Sequence, residues 1–346
     1  MNTLAVGFNR KLKLNLQQWA RHADILAPLL ALILVIAVFG WISPQFLSTA
    51  TFTAVAFQLP ELGLLTLAML LPVITGGLNL AITFTANISG LALAWILHNY
   101  GGMEAESGIF LIGILLAIAA GSVSGLVMGW IISFTRAHPI LVSLSMMIFL
   151  RGLGEFLTRG GDISGFPAFV SYIGHGYLLG IPIPFLILLI AILLFHLLLA
   201  RSRLGFSTRM IGSNIQAAHY SGIATHKVLI LVYVLSGIMA AVAGIIMLTR
   251  FNSVRVGHGE SYLLITVLAC FLGGVNPFGG FGRVLPVFFA LIVLQLLSSG
   301  LNLVGANSHL ATAVWGMALL CVMVLRRLSG YILEKFLISS LAQSQE

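Results

Sequence analysis

The stretch Leu70 to Phe84, LLPVITGGLNLAITF, interrupts what would otherwise be one long apolar helix. Pro72, the pair Gly76 and Gly77, and the amide Asn79 read together as a helix break. In a soluble core such a break is minor. In a bilayer it frees backbone groups that lipid cannot satisfy, so it survives only where protein or a water-filled cavity covers it. Paths through transporters are often built from such discontinuous helices, at corresponding positions in two halves of the chain. A second break is present: Val267 to Gly280 reads VLACFLGGVNPFGG, and its Gly273 and Gly274 follow the first pair by 197 residues.

The surroundings of both breaks place them in a membrane. Of 346 residues, 59% are hydrophobic and only 8% charged, where a soluble domain carries about 25% charged residues. The expected fold is an all-α polytopic membrane protein. Measured against the roughly 20 apolar residues that cross a bilayer, the sequence divides into about ten spans: 25–42, 54–75, 79–98, 108–132, 140–157, 183–200, 228–248, 260–274, 283–301 and 309–326. The first of these follows Arg10, Lys11, Lys13 and Arg21 and resembles a signal peptide. Its length and the lack of a small-x-small site before Pro44 make it an uncleaved first span.

The net charge of +8 is a topological signal. With both termini in the cytoplasm, the basic N-terminal group, Arg136, Arg201, Arg203, Arg209, Lys227, Arg283, Arg326, Arg327 and Lys335 all fall inside, leaving Arg151, Arg159, Arg250 and Arg255 on or near the outside. Anionic lipid headgroups account for the excess, and no basic patch on a soluble face points to nucleic acid. The expected organisation is a cytoplasmic segment 1–24, a transmembrane permease domain 25–327 and a cytoplasmic tail 328–346. Only two loops are long. Thr158–Pro182 lies outside, and Arg201–Lys227 lies inside, where it carries a helix-compatible stretch that either grips a soluble partner or lies on the membrane surface.

Several chemistries find no residues here. Cys270 and Cys321 sit in apolar segments and suggest no disulfide, and the nine histidines show no ligand spacing. No phosphate-binding G-x-x-x-x-G-K-[ST] occurs, and no nucleophile-base or paired-carboxylate arrangement marks a catalytic site, so energy must come from a partner or a gradient.

The candidate path residues gather around the breaks: Glu61, Gly76, Gly77, Asn79, Thr83, Phe84 and Asn87 in the first half, and Gly273, Gly274 and Asn276 in the second. Asn79, Thr83 and Asn87 are spaced by four, which predicts one polar face on the third span. The alternative for that face is interhelical hydrogen bonding that fixes packing. Phe84 is either a constriction beside it or a lipid contact. Glu61 is an acid inside a span and therefore a functional candidate. Glu260 echoes it before the second break, where an acid also suits a helix N-terminus. Arg250 and Arg255, flanking an outer loop, are candidates to meet acids on a soluble protein. Both broken helices are expected to run from outside to inside, as two parallel repeats.

Four stretches in the same order resemble the permease subunits of ABC importers for ribose-type monosaccharides and autoinducer-2: ITGGLNLAIT, LRGL with RGGDISGFP, the inner loop RMIGSNIQAAHYSGI, and FLGGVNPFGGFGR. The resemblance implies a permease in the bacterial inner membrane that works with a second permease, ABC ATPase subunits and a periplasmic substrate-binding protein. ATP and magnesium would bind the ATPase, with no cofactor in this chain. It also carries Gly212, Asn214, Ala217, Ala218, Ser221 and Gly222 over as the residues that couple to the ATPase. One departure stands out: relatives usually read G-G-x-D-L-S-V-G, and here an amide, Asn79, replaces the acid. The implied solute is small, neutral and polyhydroxylated. An ion-coupled secondary transporter would show similar breaks, but would be expected to bury coupling acids deep in the membrane, where only Glu61 qualifies in part.

Overall fold

The structure, a computed structural model, describes residues 26, 28–100, 102, 106–307, 310, 311 and 313–324. The basic clusters Arg10 to Arg21 and Arg326 to Lys335, and with them the expected terminal segments, lie outside the described residues. The described chain is a helical bundle: α1 (Pro28–Ile42), α2 (Thr49–Ile74), α3 (Ile82–Tyr100), α4 (Ser107–Thr135), α5 (Pro139–Thr158), α6 (Ala168–His175), α7 (Ile183–Arg201), α8 (Arg203–Ser213), α9 (Ile215–Tyr220), α10 (Thr225–Phe251), α11 (Tyr262–Leu272), α12 (Val284–Leu303) and α13 (Ala313–Val324). Among them α2, α4, α5, α7, α10 and α12 are long and apolar enough to cross a membrane. Helices α1, α11 and α13 are apolar but shorter. Helix α3 has 19 residues, but Thr83, Thr85, Asn87 and Ser89 dilute its hydropathy and it stands outside the six.

Helix α2 is the axis of the bundle. Every residue from Leu59 to Ile74 is buried, and α7, α10, α11 and α12 pack around it. An apolar helix buried on all sides needs no amphipathic face. Helices α4 and α5 are peripheral and present Leu111, Leu115, Leu126, Trp130, Ile148 and Phe149 outward, as lipid-facing surfaces do.

The most extensive packing joins α4 to α10. Gly121, Gly125 and Gly129 recur every fourth residue along α4, and a Cβ on Gly125 would overlap the Tyr233 carbonyl of α10. Small residues at this spacing let two backbones approach in the absence of a hydrophobic drive between helices.

At the end of the bundle far from the breaks, the long loop after α5 is ordered by secondary structure. Strand β1 (Ile163–Ser164) pairs antiparallel with β4 (Ser253–Val254), and β2 (Tyr177–Leu178) with β3 (Ile181–Pro182). Helix α6 lies against α10, where Gly174 meets the Thr249 carbonyl.

Two expectations about element ends are corrected. The third span begins at Ile82 and not at residue 79, so Asn79 lies in the non-helical connection and does not share a helix face with Thr83 and Asn87. Asn79 is the reason: its Oδ1 accepts from Ala81 N–H at 3.1 Å, a side-chain turn that precedes the helix. Likewise α11 begins at Tyr262, which leaves Glu260 in a turn before the helix.

Candidate functional site

Helices α2 and α11 lie side by side and run in the same direction, and each stops at a glycine. Gly77 N–H donates to Pro72 O and Gly76 N–H to Val73 O; Val275 N–H donates to Cys270 O and Gly274 N–H to Phe271 O. Both are Schellman ends, whose defining residue adopts a left-handed backbone. That residue is Gly76 in the first break and Gly274 in the second, with φ +86° in each. The structural correspondence is therefore Gly76 with Gly274, one residue beyond the match of glycine pairs that the sequence suggests. Gly77 and Gly273 serve packing: a Cβ on Gly77 would press on Pro139 and on Tyr233 Oη, and one on Gly273 would overlap the Val287 backbone.

The two breaks touch. Gly280 N–H donates to Ile74 O at 2.9 Å, joining the loop of the second break to the last turn of α2. A third element sits against both. A Cβ on Gly212, in the last turn of α8, would overlap the Ile74 carbonyl and the Gly280 amide. Gly212 thus faces the breaks. Of the other residues carried over by resemblance, Asn214 ends α8 and caps α9 by accepting from Ala217 N–H at 2.9 Å. Ala218 is buried against Ile211 and Leu229. Ala217, Ser221 and Gly222 are exposed, Gly222 with a left-handed backbone. Beside them Ile215 and Tyr220 also project outward, the latter 88% exposed.

The remaining polar residues of the first break are buried. Asn79 Nδ2 donates to Ser236 Oγ at 2.9 Å, and Ser143 Oγ donates to Leu78 O at 2.9 Å. On α3, Thr85 shares a hydrogen bond with Ser124 of α4, and Ala86 meets Gly244 of α10. Phe84 and Ile88 face α5, where the Arg151 guanidinium lies over the Phe84 ring at 5.7 Å and Gly154 meets Ile88. Phe84 is buried and meets no lipid. Thr83 and Asn87 occupy the face left over, and Thr83 Oγ1 and Asn87 Nδ2 are buried with no hydrogen-bond partner. Asn276 is spent on its own turn, accepting from Phe278 N–H and donating to Gly279 O.

At the far end Glu61 ties α2 to α10 by an ion pair and to α11 by a hydrogen bond. Glu61 Oε1 accepts from Arg250 Nη1 at 2.7 Å, and Glu61 Oε2 accepts from Tyr262 Oη at 3.3 Å. The Glu61 side chain is fully buried and that of Arg250 is 16% exposed. The expectation that Arg250 meets a soluble protein is thereby corrected: its charge is drawn inward by a carboxylate that cannot stay ionised in a dry site alone. Glu61 and Glu260 are not equivalent, since Glu260 is exposed and pairs with Arg151 at 3.3 Å. Arg255 remains at the surface, 3.7 Å from Asp162. Between them burial lowers the pKa of His258, a shift that Asp162 opposes and Arg255 reinforces.

Ser236, Tyr233 and Ser143 were not singled out from the sequence. A hydroxyl in an apolar span was the available signal, but many such residues only bond back to their own helix, as Thr66 does to Leu62 O. Among the described residues no group of three His, Cys, Asp or Glu side chains could hold a metal ion.

The protein family described as branched-chain amino acid transport system / permease component matches residues 51–323. The chain is 30% identical to the ribose import permease protein RbsC of Bacillus subtilis over 304 residues, 87% of this chain and 92% of that one. It is 28% identical to the autoinducer 2 import system permease protein LsrD of Yersinia enterocolitica over 318 residues, 90% of this chain and 94% of the other. The same protein of Escherichia coli K12 is 28% identical over 316 residues, covering 89% and 93%. No solved structure matches the chain.

Proposed function

Because the chain belongs to the family of branched-chain amino acid transport system permease components, we propose that it is the membrane subunit of an ATP-driven importer for a small neutral polyhydroxylated solute, in the first place a monosaccharide or autoinducer-2. It would work in the bacterial inner membrane with both termini in the cytoplasm and about ten spans. Its partners would be a second permease, a pair of ABC ATPase subunits that bind ATP and magnesium, and a periplasmic binding protein.

The observation that carries this reading is the seat of Gly212. Helix α9 projects Ile215 and Tyr220 outward, while the preceding turn of α8 is wedged against both helix breaks. A force applied to α9 by a soluble partner would reach both breaks through one residue. The breaks are the first-half and second-half members of a parallel repeat, and the path runs beside them. Thr83 and Asn87 are the groups on that path best suited to a sugar hydroxyl, being polar, uncharged and unpartnered. Gly76, Gly77, Gly273 and Gly274 form its walls, Asn79 and Asn276 hold the two turns, and Phe84 closes one side. Alternating access then follows if solute and nucleotide each favour a different arrangement of the breaks.

The ion-coupled alternative loses its one acid, since Glu61 is held by Arg250 and Tyr262. The decisive experiment is capture of a soluble Walker-motif ATPase encoded with the chain. Ile215→Glu with Tyr220→Glu should abolish the complex while the permease still folds. Undiminished capture, or gradient-driven uptake by the chain alone, overturns the assignment.

A further inference from the structure

We propose that Ser236 is the positioning residue of the first break: it relays one directional chain of hydrogen bonds from Asn79 to the carbonyl that Pro72 leaves bare. Proline has no N–H, so the carbonyl four residues earlier in the helix, that of Ala68, loses its partner. An unpaired carbonyl buried in the middle of α2 is costly. Ser236 Oγ of α10 repairs it, donating to Ala68 O at 2.6 Å. A hydroxyl has one hydrogen, and this bond uses it. Ser236 Oγ can therefore only accept from its other neighbour, and Asn79 Nδ2 donates to it at 2.9 Å.

The direction of the chain dictates the side chain at position 79. It must donate toward α10 and accept from Ala81 N–H, 3.1 Å from its Oδ1. An amide does both at once. A carboxylate accepts only, and at 79 it would either face the Ser236 oxygen or take the hydrogen from Ala68 O. Pro72, Ser236 and Asn79 are thus one unit spread over 165 residues of chain, from 72 to 236. All three are buried. The unit fixes where α2 ends and α3 begins relative to α10, and so the wall on which Thr83 and Asn87 stand.

The test is a set of variants of the full chain, purified in detergent and followed by thermal unfolding, which needs neither ATPase nor solute and so is independent of the transport reading. Asn79→Asp should lower the unfolding midpoint by about 4 °C. Pro72→Ala restores a backbone N–H to Ala68 O and releases the Ser236 hydrogen, so Asn79→Asp placed in the Pro72→Ala background should cost about 1 °C or less. A general packing defect at position 79 would cost the same in both backgrounds, and that result overturns the proposal. If Pro72→Ala does not fold, a second cycle decides. Asn79→Asp should be less stable than Asn79→Ala, and Asn79→Ala should cost less in the Ser236→Ala background than in the parent, because the acceptor for Nδ2 is already gone and only the bond from Ala81 N–H is left to lose. An Asn79→Asp protein as stable as the parent, or additive losses from Asn79→Ala and Ser236→Ala, rejects the relay.

Discussion

The two helix breaks share a backbone and differ in how they are held. Each ends in the same Schellman turn with a left-handed glycine, Gly76 or Gly274. The first is then clamped from outside: Ser143 of α5 donates to Leu78 O, Ser236 of α10 binds both Asn79 and α2, and Pro139 and Tyr233 close over Gly77. The second is held by its own Asn276 and by the one bond from Gly280 N–H to Ile74 O, and leaves Phe278 85% exposed. Identical local geometry therefore does not mean identical constraint. The first break is part of the packed body, and the second is a turn whose tip is free to meet another molecule.

That contrast can be broken most sharply where the two breaks meet. Gly212→Val would force a branched side chain into the Ile74 carbonyl and the Gly280 amide. It should cost more than about 4 kcal/mol, seen as loss of folded protein in detergent or as at least tenfold loss of uptake by the assembled importer. A small effect would show that the contact between the breaks is dispensable.

At the far end, Arg250→Ala leaves Glu61 buried and unpaired. The expected loss is about 3–5 kcal/mol, and the double variant with Glu61→Gln should recover a large part of it in the same unfolding assay. If Arg250→Ala is neutral, the ion pair between α2 and α10 contributes nothing to this end of the bundle.

Gly76→Ala and Gly274→Ala each place a side chain in a left-handed backbone and should cost about 1–2 kcal/mol. At Gly76 the new Cβ would also lie 3.3 Å from Phe278 O of the second break. A negligible loss at either position would show that its turn does not depend on the left-handed glycine. The smallest effect belongs to Asn276→Ala, about 1 kcal/mol for a half-exposed turn, with α11 and α12 unchanged by circular dichroism.

Most of the helical layout was legible in the sequence, because membrane spans are read from length and hydropathy alone, and each expected span overlaps a helix of the structure. The breaks were legible because two adjacent glycines and an asparagine fall together inside each apolar run. What escaped was direction. Arg250 stands next to a loop, and nothing in the local sequence shows that its guanidinium turns inward to an acid 189 residues away. Spacing by four put Asn79 on a helix with Thr83 and Asn87, yet its amide turns back on Ala81 ahead of that helix, since a side chain that bonds its own backbone competes with helical continuation. Gly212 carried a role by resemblance, but which way it faces depends on how closely three backbones approach. Composition supplies the capacity for such contacts and leaves their partners to the tertiary fold.

The bond from Gly280 N–H to Ile74 O has a further meaning for how the molecule is made. The end of α2 is complete only when a loop synthesised some 200 residues later arrives beside it. During insertion the first half must wait with an open carbonyl in its last turn, and neither half is a finished unit that could fold and then dock. The chain should therefore acquire its native stability late and in one cooperative step, and two halves expressed as separate polypeptides should be protected from proteolysis only when both are present.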